Sequence, residues 1–343
     1  MLRTSLLIVF SLLFISVFAE QQSERQESSG KKEVYNPTPM ILHHIADANE
    51  FEIVHGLAVP LPCIIYNFTT GKLSFFMSNN REKMVAEGYV LDHGRVKPLN
   101  KEEKILDLSI TKNVFGMLLA SLLLIIVFFN VKSAYEKNKF SAPRGLQSLL
   151  EPVIIFVRDD IAKQALGNKA EYYLPYLMTA FFFILTNNLL GLVPIFPGSA
   201  NVTGNIAVTM VLALITGIII NVKANKYYWK HIFLPEPLWM APLLIPVELL
   251  GVLTKPITLM IRLFANIAAG HIIVLSLISL IFVFGSIWGV IGSGVGALVA
   301  VPFTLFISVI ELLVAFIQAF IFTMLSAVFI SMAIEEHHGH EAH

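Results

Sequence analysis

The sequence predicts an all-α polytopic membrane protein of about five to six membrane helices, preceded by a small, partly β N-terminal region. Three observations carry that reading. Of 343 residues, 56% are hydrophobic and 14% are charged, where soluble domains carry roughly 25% charged residues. The charges are unevenly placed, 25 of the 48 falling in residues 1–113. From Tyr172 to Ile334 there are only eight, at Lys223, Lys226, Lys230, Glu236, Glu248, Lys255, Arg262 and Glu311. The formal charge of zero gives no sign of a nucleic-acid surface. One cysteine, Cys63, excludes an intramolecular disulfide framework and a cysteine-based zinc site.

Residues 1–19 read as a signal peptide. Arg3 supplies the positive n-region, Leu6–Phe18 is an apolar run too short for a comfortable span, and Val17-Phe18-Ala19 ends it before Glu20. The mature chain is then expected to begin near Glu20. Residues 20–113 form an exported region: a polar stretch to residue 33, then short apolar runs at Leu57–Val59, Cys63–Tyr66 and Leu73–Met77 among turn residues. His43, His44, His55 and His93 fall here in no metal-ligand spacing. Residues 114–334 are the membrane domain, and 335–343 a His- and Glu-rich tail that reads as solvated rather than metal-binding. No metal or other cofactor is expected.

Val114–Val131 is the first span, 18 residues without a charge. Lys132, Lys137, Lys139 and Arg144 follow it, so the positive-inside rule puts that end in the cytoplasm. The exported region then lies across the membrane from it. Residues 145–171 have apolar positions at helical spacing with Arg158, Asp159, Asp160 and Lys163 between them, an amphipathic helix on the cytoplasmic face. Two spans follow, about 173–193 and 203–221, separated by the break Pro194–Gly198. From Leu238 to Phe284 and from Gly296 to Ile334 the apolar runs far exceed one crossing. Such helices must tilt strongly, bend or break, with Pro242, Pro246 and Pro256 as candidate breaks and the five glycines of Gly285–Gly296 as a turn. Long oblique helices suit a protein lying beside a large membrane partner. The C-terminus falls in the cytoplasm.

Glu248, Lys255, Arg262, His271 and Glu311 interrupt these apolar runs. A charge deep in the bilayer costs roughly 3 kcal/mol or more, and such groups usually mark a transport path. Asn266 follows Arg262 by four residues and shares its face; His271 follows by nine and lies about 180° away. Glu311 and Gln318 share a face of the last helix. One helix thus carries a fixed charge on one side and a titratable group on the other, as a two-sided ion path requires. A salt bridge such as Arg262 with Glu311, locking two helices, is the structural alternative.

Pro246-Val-Glu248-Leu-Leu, followed by Lys255-Pro256-Ile-Thr-Leu-Met-Ile-Arg262-Leu-Phe-Ala-Asn266-Ile-Ala-Ala-Gly270-His271, resembles the signature of the a subunits of rotary F-type ATP synthases, here a bacterial form with an N-terminal extension. Thr186-Asn187-Asn188-Leu-Leu-Gly191-Leu-Val-Pro194, the stretch from Glu311 to Gln318 and the Leu149–Asp160 segment fit the same family. The resemblance covers about residues 146–334 and is carried by the combined Arg–Asn–Gly motif with its downstream Glu–Gln pair. It implies a multi-pass inner-membrane subunit beside a c-subunit ring, with b subunits of the peripheral stalk and the remaining synthase subunits as partners. It implies no nucleotide chemistry of its own. It places Arg262 facing the ring between two half-channels, His271 and Glu311 on the exported half-channel, Asn266 and Gln318 as polar lining, and Glu248 on the cytoplasmic path. His271 and Glu311 are then expected to approach each other across the last two helices, with Gln318 near Arg262, while Lys255 snorkels to the cytoplasmic surface. A secondary transporter would show internal repeats, and an intramembrane enzyme a nucleophile–base or metal motif; neither is found in the sequence.

Overall fold

The computed structural model describes residues 35–335 except 55–56, 93, 101, 138–141, 194–197, 199 and 236–237. The expected signal peptide, the polar stretch to residue 33, His55, His93, most of the Pro194–Gly198 break and the tail beyond 335 lie outside the described residues.

The N-terminal region is a set of small antiparallel sheets. Helix α1 (Thr38–Ile45) leads to β1 (Glu50–Val54), β2 (Leu57–Pro60), β3 (Pro62–Asn67) and β4 (Lys72–Met77). Helix α2 (Arg81–Ala86), β5 (Tyr89–Asp92), β6 (Arg95–Pro98) and β7 (Ile105–Asp107) complete it. The strands pair as β1–β2, β4–β3–β7 and β5–β6. The expected apolar runs became β2, β3 and β4. In β3 every second residue turns inward, so Cys63, Ile65 and Asn67 are buried. Cys63 and Ile65 join Phe76, Met84, Tyr89 and Val96 in a compact core.

Four helical stretches among the described residues are long and apolar enough to cross a membrane: Lys112–Lys137, Leu146–Leu192, Ile206–Lys223 and Ala241–Ile334. The first is α3. The second contains α4 (Leu146–Ile155), a π-helical stretch Phe156–Lys163, α5 (Gln164–Leu166), a 3₁₀ turn at Gly167–Lys169 and α6 (Ala170–Leu192). Then come α7 (Ile206–Lys223), the short α8 (Lys226–Phe233) and α9 (Ala241–Ile334). The expected spans shift by a few residues at their ends. Helix α7 starts at 206 because the Asn205 side chain accepts from Ala207 N at 2.9 Å and caps it there.

Helix α9 is two antiparallel arms. Its one non-helical residue, Gly289, has φ 66° and ψ −145°, a conformation that glycine adopts without strain. The chain reverses there, and Gly296 comes to lie against Leu280 and Ile281. Gly292, Gly296 and Ala300, four apart and all buried, let the arms approach closely. The turn expected in Gly285–Gly296 is therefore present; of the expected proline breaks, Pro242 stands in the first turn of α9, while Pro246 and Pro256 break nothing. Pro246 and Pro256 sit inside continuous helix, as does Pro302. Helices embedded in membranes tolerate proline because neighbours and local adjustment re-satisfy the freed carbonyls. Each arm reaches on the order of 70 Å, so a hydrocarbon layer of roughly 30 Å is crossed obliquely or with the ends outside it.

Between helices in lipid the hydrophobic effect provides little drive, so small residues and polar bonds matter. Ala180, Ala213, Ala319, Ala327 and Ala333 are all at most 5% exposed where α6, α7 and the second arm of α9 meet. Tyr176 and Thr216 share a 2.5 Å hydrogen bond from α6 to α7. Asn188 Nδ2 donates to Ala315 O at 3.1 Å, from α6 to α9. The last turn of α9 is clasped twice: Lys169 Nζ donates to Ile334 O (3.0 Å) and Asn225 N to Ala333 O (2.8 Å). Those terminal carbonyls have no partner within the helix, and a cation suits that end of its dipole. The amphipathic segment packs Val157 and Ile161 inward and leaves Arg158, Asp159 and Lys163 ion-paired outside.

Candidate functional site

The first arm of α9 buries a stripe at Leu259, Leu263 and Ile267, one residue per turn. Arg262 lies about 60–100° round the helix from that stripe. It is half-buried, and Asn266 one turn on is exposed. Among the described residues Arg262 has no ion pair or hydrogen bond. The locking bridge to Glu311 does not form. The face around Arg262 is instead open: Thr258, Ala265, Asn266 and Ala269, within about 60° of it round the helix, are all exposed. Arg262 thus stands among exposed neighbours on its side of the helix.

Glu311 meets His271. His271 Nδ1 stands 2.8 Å from Glu311 Oε1, with side chains 15% and 8% exposed. The approach is at ion-pair distance but out of line with the ring N–H, and neither atom has a hydrogen-bond partner among the described residues. Gly270 makes room: a Cβ there would stand 2.9 Å from Glu311 Oε1 and 3.3 Å from its Cδ. Gln318 is buried two turns further along the second arm. Between them Ala315 O accepts from Asn188, and Asn188 Oδ1 in turn accepts from Thr203 Oγ1 at 2.5 Å.

Near the opposite end of the first arm, Glu248 Oε1 is 3.9 Å from His231 Nδ1 of α8. Lys255, expected to snorkel outward, is half-buried with its ammonium 5.2 Å from the Tyr228 ring and 5.8 Å from that of Phe329. Burial raises the Tyr228 phenol above the usual tyrosine range, and the Glu248 carboxylate adds to it. Among the described residues no cluster of three or more His, Cys, Asp or Glu is arranged to hold a metal ion.

The structure therefore brings His271 and Glu311 together, leaves Arg262 and Asn266 facing outward, and sets Glu248 apart with His231. Sequence reasoning missed the space at Gly270, His231 as neighbour of Glu248, and the Thr203–Asn188 link. Asn188 carried a usable signal as a polar side chain in a charge-free span.

Comparison with known proteins agrees on one family. The family described as ATP synthase A chain matches residues 114–331. A domain of unknown function, DUF8433, matches residues 40–115. An ATP synthase subunit a from Chloroherpeton thalassium is 45% identical over 246 residues, 69% of this chain and 70% of that one. One from Chlorobium phaeobacteroides is 40% identical over 311 residues, 88% of this chain and 78% of the other. One from Myxococcus xanthus is 42% identical over 259 residues, 74% and 81% of the two chains. With more than half its length matched by the family and relatives this similar, the chain belongs to the a subunits of F-type ATP synthases.

Proposed function

We propose that this chain is the proton-translocating a subunit of a rotary ATP synthase membrane sector. It is a non-catalytic partner of the c ring and of the b subunits and remaining synthase subunits, multi-pass in a bacterial inner membrane. The β region is exported and the C-terminus cytoplasmic. Two half-channels end at different points of the first arm of α9, and Arg262 separates them.

The observation that carries the reading is the contrast between Arg262, on an open helix face with no ion pair or hydrogen bond among the described residues, and His271 with Glu311, close together and nearly closed off. Protons from the exported side reach the Glu311–His271 pair. Histidine titrates near neutrality and relays a proton, while the carboxylate holds the imidazolium. From there, past Asn266 and Gln318, the proton passes to a ring carboxylate. Arg262 keeps its charge because a guanidinium does not deprotonate in proteins. Its field favours the ionised form of a carboxylate that comes alongside, so each ring site gives up its proton as it passes. The same cation blocks direct passage between the half-channels. Release to the cytoplasm runs by Glu248, with His231 beside it.

Co-purification tests the assembly and vesicle assays test the transport. The a subunit isolated by an affinity tag is expected to bring the c ring with it, and vesicles holding the complex to pump protons on ATP addition. Isolation without ring, from membranes in which the ring is present, would overturn the reading.

A further inference from the structure

The β region is fixed over one end of the helices, and the contacts say which end. Tyr35 N donates to Ser286 Oγ at 3.2 Å, and its ring lies 5.6 Å from Phe282, just ahead of the reversal at Gly289. Phe51 packs on Ala200 and Val202 in the loop between α6 and α7. Helix α3 closes on the same loop at Gly116, where a Cβ would stand 2.8 Å from Ala200 Cβ. A strap at residues 47–49 ties the sheets to the start of α3. Asp47 accepts from Arg95 Nη2 (3.1 Å) and Asn113 N (3.2 Å), Ala48 O accepts from Lys112 N (2.9 Å), and Asn49 N donates to Gly94 O (2.7 Å).

Beneath these contacts the chain buries polar groups it does not satisfy. Asn113, one turn before Gly116, is 3% exposed, and its Oδ1 lacks a partner among the described residues. Asn201, between Ala200 and Val202, is also 3% exposed. Its Oδ1 accepts from Gly204 N, but its Nδ2 lacks a partner. Two residues on, the buried Thr203 reaches Asn188, and Asn188 reaches Ala315 O, one turn from Glu311. A dry structural contact gains nothing from unpaired amides. Water bridging buried polar groups satisfies them and conducts protons.

We propose that the β region roofs the exported mouth of the proton path, and that water admitted at the Asn113–Asn201 seam leads under it, by Thr203 and Asn188, to Glu311 and His271. This rests on the transport role proposed for that pair. The roof gives the domain a function: it admits water and small cations and excludes anything larger.

The test uses the whole complex with Cys63→Ser as background. Silver ion, small and thiol-seeking, is expected to cut ATP-driven proton pumping at least tenfold in Thr203→Cys, and not in Val202→Cys, whose side chain packs on Phe51. A bulky impermeant maleimide, added from the exported side, should leave Thr203→Cys unmodified. Asn201→Leu should slow proton-driven ATP synthesis at least fivefold with unchanged c-ring content; where it fails to assemble, the silver result decides. Thr203→Cys insensitive to silver, Thr203→Cys open to the maleimide, or an assembled Asn201→Leu within twofold of the parent would each overturn the roofed path. Should those results come with a blocked Glu311→Gln complex, only the roof is wrong. A Glu311→Gln complex with normal flux would instead remove the transport role of the pair.

Discussion

His271 and Glu311 come within 2.8 Å of each other across the two arms of α9, although forty positions separate them in the chain. The reversal at Gly289 sets the two arms in register, and Gly270 leaves the volume that the carboxylate occupies. A group meant only to hold helices together would have been served as well by two apolar side chains.

Coupling between the pair is the first prediction. Glu311→Gln and His271→Ala should each slow proton uptake and shift its pH dependence. The double variant should lose less than the sum of the two, by about 1 kcal/mol or more in activation free energy. Strict additivity in rates of proton-driven synthesis would show that the two act independently.

Gly270→Ala should leave assembly intact, because the atom it displaces is the free end of a flexible side chain. Moving the carboxylate off His271 should nevertheless slow proton flux about tenfold to a hundredfold, the scale on which misplacement by an ångström is felt. Passive flux through vesicles with a normal content of the subunit is the measurement. A rate equal to the parent's would mean that the 2.8 Å approach is not used.

Arg262→Lys separates a ring-facing barrier from a mere cation. Its ammonium is more strongly hydrated, shorter in reach and able to deprotonate when desolvated. The variant is expected to assemble with the ring and to lose proton-driven ATP synthesis. Arg262→Ala should assemble and leak protons passively. Synthesis near the parent level from a fully assembled Arg262→Lys complex would overturn the proposed role.

In the β region, burial, with a smaller push from the Asp107 carboxylate, raises the Cys63 thiol to about 11. The thiol is favoured over the thiolate in the folded state. Its contribution is therefore complete below the unfolded value near 9. It then falls by about 1.4 kcal/mol per pH unit until the folded value is passed. At pH 8 a maleimide should leave Cys63 unmodified in the native complex and label it in denaturant. Native labelling at pH 8 as fast as in denaturant would contradict its burial.

Much of this architecture could be read from residue order, and the exceptions have physical causes. The charge-free runs, the glycine cluster around Gly289 and the alternation in β3 each express a period or a breaker that acts locally. The meeting of His271 with Glu311 was legible because both stand out as titratable groups in apolar helices. Pro246 and Pro256 misled because proline breaks helices chiefly where water competes for the freed carbonyls. The span expected from about 203 begins at 206 because the Asn205 side chain caps it. The space at Gly270, the proximity of His231 to Glu248 and the placing of the sheets over the loop at Ala200 depend on how distant segments pack, and no local pattern encodes them.

The clasp on the last turn of α9 orders events in time. Lys169 and Ile334 lie 165 positions apart. At synthesis rates of about 5–20 residues per second, the lysine waits roughly ten to thirty seconds for its partner carbonyl to be made. Until then Lys169 cannot make this bond, and the second arm of α9 lacks that anchor at its finish. The clasp thus forms only on a chain translated to the last turn of α9. A nascent polypeptide halted before Ala333 lacks both clasping bonds.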